Sequence, residues 1–280
     1  MHARSDEPYL GGTSCWICPI PVRSRAFRRT LVRERDNLPQ KSSAWSQILI
    51  DAQVYPGAEL RTMPVDNILR GLKRFRKKVF PKHRELFQKL ALQQRPTALF
   101  ITCADSRIDP CLLTQTKPGE LFLCRVIGNI VPRYPGSIGG VSATIEYAVG
   151  VLGVADVIVC GHTDCGVMKG ILNPEALKPL ENVSAWLSHA QPAREALVTP
   201  ETDLTDLEFL LKLTERNVVE QLKNLQTHPA VAARLEQGNL KLHGWVYHIG
   251  KGTVTTYSKR KEKFVRIRTV KPRKEARARR

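Results

Sequence analysis

Three residues that could bind a metal ion stand at the ends of two apolar runs. Cys103 ends the run 97–103, and His162 and Cys165 follow the run 156–161. Taken singly, each could be an ordinary buried side chain, but two thiolates and one imidazole together are good zinc ligands. A structural zinc site normally closes with a fourth Cys or His, whereas a catalytic site keeps one position open. No fourth Cys or His is evident beside these three, so the pattern predicts a zinc site that activates water.

An acid and an arginine follow the first cysteine closely. Asp105 and Arg107 come two and four residues after Cys103. An arginine can hold a carboxylate in bidentate geometry, and the remaining oxygen lone pairs could then accept a proton from the activated water. If Arg107 released it, Asp105 could swing onto the metal and close the site. The alternative is a turn with a surface ion pair. Asp164, between the other two ligands, is expected to face solvent.

Strands that could carry these residues alternate with helices. Apolar runs predict strands over 97–103, 120–126, 156–161, 240–249 and 253–257. Helical spacing predicts helices over 66–94 with a break before Pro81, over 140–152, from about Cys165, and over 204–225. The alternation predicts an α/β fold with a mainly parallel β-sheet flanked by helices and an N-terminal helical arm. Because function collects at the carboxyl ends of such strands, Cys103 and His162 would meet there if their strands are neighbours.

The two ends of the chain differ in composition from its middle. Residues 1–62 are rich in Arg, Ser and Pro without periodicity, so we expect a disordered extension. One hypothesis is that translation begins at Met63. Residues 63–258 would form the catalytic domain, followed by a flexible basic tail over 259–280. The tail has 12 Lys/Arg against two Glu, which is +10 of the formal +18. Any partner selected by charge is therefore expected at the tail.

Cysteine usage favours a reducing compartment. The chain has seven cysteines, an odd number, and several lie inside strand-like runs, which is typical of free thiols and metal ligands. The early pair Cys15 and Cys18 is a weak redox or metal signal with no second pair to support it. No apolar stretch approaches the roughly 20 residues that span a bilayer. We therefore expect a cytoplasmic protein with no membrane span.

Two motifs resemble those of the β-class carbonic anhydrases, namely Cys103-Ala104-Asp105-Ser106-Arg107 and His162-x-x-Cys165. The resemblance extends over about 65–258 and is nearest to bacterial, cyanobacterial-like members. It includes the segments 119–122, 125–129, 139–140, 145–149, 160–162 and 242–245. It implies the β-carbonic anhydrase fold and the reversible hydration of carbon dioxide to bicarbonate and a proton by zinc-bound hydroxide, with one Zn²⁺ per chain.

The resemblance also implies a role for each site residue. The zinc ligands would be Cys103, His162 and Cys165, and the catalytic dyad would be Asp105 with Arg107. The carbon dioxide pocket would be lined by Gln94, Phe122, Ile127, Tyr147 and Gly166. Tyr147 would reach in from a second subunit, since the family is built on a dimer that often assembles further. The family usually has Asn directly after the arginine that corresponds to Arg125, where this chain has Val126.

Other functions stay open at the level of sequence. A zinc-stabilised binding protein could use the basic tail on nucleic acid or on an acidic partner. The same fold could hydrolyse carbon disulfide or carbonyl sulfide instead of hydrating carbon dioxide. An association of the tail with a carboxysome-like partner is a further hypothesis. For the carbon dioxide reaction we expect activity to rise through the alkaline range, because two thiolates donate more charge to zinc than histidines do.

Overall fold

The computed structural model describes residues 65–136, 138–197 and 205–267. The predictions for 1–62, including the disordered extension and the proposed translation start, lie outside these residues. So does the part of the basic tail from residue 268 onward. The site residues predicted from the sequence all lie in the described part of the chain.

Six strands form a single mixed sheet. They are β1 Ala98–Thr102, β2 Leu121–Arg125, β3 Asp156–His162, β4 Lys241–His248, β5 Thr253–Ser258 and β6 Lys263–Arg266. Their order across the sheet is β2-β1-β3-β4-β5-β6. The first four strands pair in parallel, and β5 and β6 are added antiparallel at one edge. All residues of β1 are buried and only Asp156 of β3 is not, as expected for central strands covered on both faces. The predicted α/β fold with a mainly parallel sheet is confirmed.

Nine α-helices complete the described structure. They are α1 Val65–Arg74, α2 Arg84–Leu92, α3 Pro110–Thr114, α4 Gly140–Glu146, α5 Gly166–Leu172, α6 Glu181–Leu187, α7 Gln191–Glu195, α8 Asp206–Thr227 and α9 Pro229–Glu236. A π-helical turn, Tyr147–Val151, continues α4. The long helix α8 begins with a capping box in which Thr205 and Glu208 satisfy each other's backbone N–H groups.

Helix α8 covers the middle of the sheet. Its buried side chains Val218, Leu222 and Leu225 share one hydrophobic core with strands β1, β3 and β4. The close approach requires a glycine on β4, because a Cβ at Gly244 would lie 2.9 Å from Leu222 Cδ1 and from Val218 Cγ1. Helix and sheet therefore meet at a distance that no larger residue at position 244 would allow without repacking.

The N-terminal arm consists of α1, a π-helical turn Phe75–Val79, a 3₁₀ turn Phe80–His83 and α2. The 3₁₀ turn at Pro81 confirms the predicted break. The arm is a second basic segment of the chain beside the tail. Between residues 65 and 95, ten Lys/Arg stand against two acids, so the arm carries +8 of the formal net charge.

The last strand of the sheet corrects the predicted C-terminal boundary of the catalytic domain. Strand β6 pairs with β5 inside the segment that the sequence assigned to a flexible tail. The reason is local packing, because Phe264 of β6 lies 5.5 Å from the Tyr257 ring of β5, measured between ring centroids. The folded domain thus extends to Arg266. Among the described residues, no helix is both long and apolar enough to cross a membrane.

Candidate metal centre

Sheet register brings the three predicted metal ligands together. Strands β1 and β3 are neighbours, and Thr102 is paired with Cys160. Cys103, the next residue after β1, therefore lies beside the end of β3, where His162 is the last residue. The backbone then turns, and Cys165 stands immediately before α5. One ligand atom from each of Cys103, His162 and Cys165 lies within 4.8 Å of the others, and all three residues are buried.

The donor atoms of this cluster fit a zinc ion. His162 Nδ1 lies 3.0 Å from the carbonyl oxygen of Thr163, which fixes the tautomer with the proton on Nδ1. The other ring nitrogen, Nε2, is buried and has no hydrogen-bond partner among the described residues. A buried lone pair without a partner is costly unless it binds something, and two sulfur atoms beside an imidazole nitrogen are a donor set that zinc prefers.

The two thiols influence each other strongly. Hydrogen bonding from the Cys165 side chain is the main cause that lowers the pKa of Cys103, and the N–H of Gly128, 3.4 Å from Cys103 Sγ, adds to the effect. The pKa of Cys165 is raised by Cys103 and by burial. The opposite shifts indicate that Cys165 holds the proton of the hydrogen bond that joins the two sulfur atoms, whereas Cys103 has thiolate character. A divalent cation would displace that proton, as metal sites built from thiols generally do.

Asp105 and Arg107 form the predicted ion pair beside the cluster. Arg107 Nε donates to Asp105 Oδ1 at 3.0 Å, and Arg107 Nη2 donates to Asp105 Oδ2 at 2.7 Å. Arg107 is the main cause that lowers the pKa of Asp105 from 3.8 to about 2. Asp105 Oδ2 also lies 3.8 Å from His162 Nε2. The carboxylate thus stays ionised, and the arginine holds it beside the ligand atoms without a hydrogen bond to His162 Nε2.

Asp164 does more than face solvent, which corrects the expectation from the sequence. Its side chain is 46% exposed, yet its carboxylate accepts a hydrogen bond from Arg107 Nη1 at 2.9 Å and pairs with Lys169. Lys169 and Arg107, in that order, lower the pKa of Asp164. The contact with Arg107 spans 57 positions of the chain, so no local pattern could have indicated it.

Two supporting residues, Arg125 and Asn217, received no specific role from the sequence. Arg125 donates to the carbonyl oxygen of Cys103 at 3.2 Å and to that of Asp105 at 2.6 Å, which holds the loop after β1. Asn217 of α8 donates to the carbonyl oxygen of Gly128 at 3.0 Å. The segment 125–129 was the only signal for this loop in the sequence, whereas nothing there indicated Asn217.

The predicted pocket residues are less closely gathered than the ligands. Ile127 lies next to Gly128, and its carbonyl oxygen accepts a hydrogen bond from the indole N–H of Trp186 at 3.1 Å. Phe122 and Tyr147 pack together, with ring centroids 6.0 Å apart. Tyr147 is 45% exposed. The remaining two predicted residues are an exposed Gln94 and Gly166, the first residue of α5.

Comparison with known proteins places the chain in one family. The family model described as carbonic anhydrase matches residues 98–254. A carbonic anhydrase of Pseudomonas aeruginosa is 48% identical over 201 residues, which cover 72% of this chain and 91% of that protein. A carbonic anhydrase of a Synechocystis species is 41% identical over 213 residues, covering 74% of this chain and 78% of that protein. These matches do not favour the binding-protein alternative or the hydrolysis of sulfur analogues.

Solved structures agree with the sequence matches. The β-carbonic anhydrase CcaA superimposes with a TM-score of 0.71 at 41% identity, covering 73% of this chain and 92% of that one. A Coccomyxa β-carbonic anhydrase in complex with acetazolamide gives a TM-score of 0.62 at 30% identity, covering 70% of this chain and 86% of that one. With the family model, the relatives and the fold in agreement, the chain belongs to the β-class carbonic anhydrases, lyases that hydrate carbon dioxide reversibly.

Proposed function

We propose that this chain hydrates carbon dioxide at a zinc ion held by Cys103, His162 and Cys165. The observation that carries the proposal is the convergence of the three ligand atoms within 4.8 Å of one another, with His162 Nε2 buried and lacking a hydrogen-bond partner among the described residues. Zn²⁺ would supply the Lewis acidity that makes water a nucleophile near neutral pH. The residues around it would orient the reactants and keep the ligands in the right protonation state.

The backbone prepares the ligands for this role. The carbonyl oxygen of Thr163 keeps the proton of His162 on Nδ1, so that Nε2 presents a lone pair to the cluster. The N–H of Gly128 donates to Cys103 Sγ and stabilises the thiolate. Both partners are fixed in turn, since Thr163 donates its N–H to the carbonyl oxygen of Tyr247 at 2.9 Å and Gly128 is held through its carbonyl oxygen by Asn217. The ligand atoms are therefore preorganised.

Asp105 would orient the attacking water as a hydrogen-bond acceptor. Arg107 donates three hydrogen bonds to this carboxylate, from its main-chain N–H and Nε to Oδ1 and from Nη2 to Oδ2. The remaining lone pair of Oδ2 is free to accept a hydrogen bond from water. A pKa of about 2 makes Asp105 too weak a base to retain a proton at neutral pH. We therefore assign to Asp105 the orientation of water and to Arg107 the placement of Asp105. The proton released by the reaction must leave through another group or through solvent.

The test is stopped-flow hydration of carbon dioxide by the full-length, zinc-loaded protein from about pH 6.5 to 9. We expect Asp105→Asn to lower kcat about a hundredfold while zinc content stays at one ion per chain. A suitable control is Asp156→Asn, an acid-to-amide change at the opposite end of β3, where Asp156 pairs with His243. Full activity in Asp105→Asn, or none in the zinc-loaded wild type across this pH range, would contradict the proposal.

We assign the carbon dioxide pocket to Phe122, Ile127 and Tyr147, with Gln94 and Gly166 at its border. Support comes from the position of Ile127 next to the loop that donates to Cys103. Tyr147, which packs on Phe122 of its own chain, would enter the pocket from a second subunit. An apolar lining would hold carbon dioxide without competing hydrogen bonds. Replacing Ile127 by Asn should raise KM more than it lowers kcat, which steady-state kinetics would measure.

The functional unit that we propose is a homodimer or a larger homo-oligomer. Helix α1 exposes an apolar stripe at helical spacing, formed by Val65, Ile68, Leu69 and Leu72, each at least 53% exposed. A stripe of this kind on an ordered helix is typical of a protein interface. Tyr147 and Val151 expose further apolar surface, at 45% and 68%. A second copy of the chain would cover these side chains.

Two matched substitutions on α1 test this arrangement. Leu72→Gln removes a side chain from the apolar stripe, whereas Lys73→Gln changes its neighbour on the polar side of the helix. We expect the wild-type protein and Lys73→Gln to have the mass of a dimer or more by light scattering. The Leu72→Gln variant should dissociate into monomers at protein concentrations at which the wild type and Lys73→Gln stay assembled. Equal masses for both variants would argue against the arm as the interface.

We also propose a cytoplasmic location and a catalytic domain that runs from residue 63 to the end of β6 at Arg266. The five cysteines of the described residues are all unpaired, as is usual in a reducing compartment. A contact between the basic tail and an acidic or carboxysome-like partner concerns mainly residues 268–280, outside the described residues. It stays a prediction without support.

A further inference from the structure

The guanidinium of Arg107 is held from two sides. Asp105 takes the hydrogen bonds of Nε and of one Nη2–H, as described above. On the other side, Nη1 donates to Asp164 Oδ2 and Nη2 donates to the main-chain oxygen of Asp164, each at 2.9 Å. An arginine side chain has five N–H donors in a rigid plane. The two aspartates use different donors, so they do not compete for hydrogen bonds.

Asp164 is itself fixed in this position. Its φ of 59° lies in the left-handed region, which Asp tolerates better than most residues and which directs its main-chain oxygen towards Arg107. Its second carboxylate oxygen pairs with Lys169, one turn into α5. Arg107, Asp164 and Lys169 therefore form a row of alternating charges that ends on the first turn of a helix.

We propose that Asp164 is a positioning residue that keeps Arg107 turned towards Asp105 and thereby keeps the metal site open. The proposal rests on the proposed function and on the expectation from the sequence that Asp105 can either stay on Arg107 or move onto the metal. Asp105 Oδ2 lies only 3.8 Å from His162 Nε2, so a small rotation would bring it to the ligand cluster. Loosening Arg107 on the Asp164 side gives the arginine alternative orientations, and Asp105 then loses its bidentate partner for part of the time.

The expected effect of losing the contact between Arg107 and Asp164 follows from the solvent exposure of the two side chains. The side chains of Arg107 and Asp164 are 37% and 46% exposed, so solvent screens their attraction. Losing their contact should lower the open fraction, meaning the fraction of molecules in which Asp105 stays off the metal, by about threefold to fivefold. Apparent affinity for any ligand of the open site falls by the same factor as the open fraction. A purely electrostatic role predicts the opposite sign, because removing a negative charge near the metal would strengthen the binding of an anion.

The experiment is an azide titration of the cobalt-substituted, full-length protein, followed by its visible spectrum. Azide competes with Asp105 for the open position and needs no turnover. A wild-type protein that binds azide but does not hydrate carbon dioxide would therefore refute the proposed function and not this inference. We expect Asp164→Asn, which keeps the shape and the left-handed backbone, to bind azide about threefold to fivefold more weakly than wild type. Asp156→Asn, at the far end of the strand that precedes Asp164, should bind azide as wild type does.

A double variant separates a positioning role of Asp164 from a general structural effect of the substitution. In Asp105→Asn the carboxylate that would close the site is gone, so adding Asp164→Asn should no longer weaken azide binding. Lys169→Gln alone should weaken it less than Asp164→Asn does, because the direct contact with Arg107 remains. Equal or tighter azide binding by Asp164→Asn would overturn the inference, as would an equal loss in the Asp105→Asn background.

Discussion

Replacing Gly128 by Ala should destabilise the protein and disturb the metal centre together. Gly128 has a φ of 69°, and a Cβ there would lie 2.9 Å from Val167 Cγ1 and 3.3 Å from Ile130 Cδ1. Its N–H is also the donor to Cys103 Sγ. An L-residue in the left-handed region costs about 1–2 kcal/mol, and overpacking costs about 1–3 kcal/mol. The free energy of unfolding should fall by about 2–5 kcal/mol when the two costs are combined.

Three other glycines of the chain separate these two costs. Gly250 has neither a positive φ nor a heavy atom within 4 Å of the added Cβ among the described residues, so Gly250→Ala serves as the reference. Gly238 has a φ of 70° with open space, and Gly244 has close contacts at 2.9 Å without a positive φ. Gly238→Ala should therefore report the backbone cost and Gly244→Ala the packing cost.

The assay is thermal unfolding of all four zinc-saturated variants, combined with their zinc content. About 2–4 °C of Tm per kcal/mol is expected for a domain of this size, so Gly128→Ala should lose roughly 4–20 °C and Gly250→Ala almost nothing. Gly128→Ala should also bind zinc more weakly, because the N–H that stabilises Cys103 is displaced. A Tm within 2 °C of the reference, with normal zinc affinity, would refute the reasoning about this loop.

Two further predictions follow from the pKa shifts. Because the pKa of Asp105 is lowered from 3.8 to about 2, its stabilising effect is present above about pH 4 and is lost as pH falls towards 2. In urea titrations, the difference in free energy of unfolding between wild type and Asp105→Asn should thus be constant from pH 5 to 8 and shrink below about pH 4. A difference as large at pH 3 as at pH 7 would contradict it. After zinc is removed, iodoacetamide at pH 6 should modify Cys103, whose pKa is lowered, faster than Cys124 or Cys160, whose pKa values burial raises to about 11 and 12. Peptide mass spectrometry would measure the rates, and equal modification of the three would argue against a thiolate at Cys103.

The sequence by itself determined the chemistry of the site and most of its local elements. Residue type identified the donors Cys103, His162 and Cys165, and the short spacing of Asp105 and Arg107 indicated a carboxylate held by an arginine. Five of the six strands were predicted close to their observed bounds, because buried parallel strands read as apolar runs. Only β6 was missed, since its two apolar residues are flanked by basic ones and resemble part of a charged tail until Phe264 is seen to pack on Tyr257.

Tertiary structure alone decided which distant residues meet. The pairing of β1 with β3 places Cys103 beside His162, and parallel pairing across a crossover leaves no local pattern that specifies neighbour or register. The contact of Gly128 with Cys103 and that of Asp164 with Arg107 join residues 25 and 57 positions apart. Such contacts arise from the packing of helices and loops around the sheet, which depends on the whole chain. The ligands could therefore be named from the sequence, whereas the groups that hold and orient them could be found only in the fold.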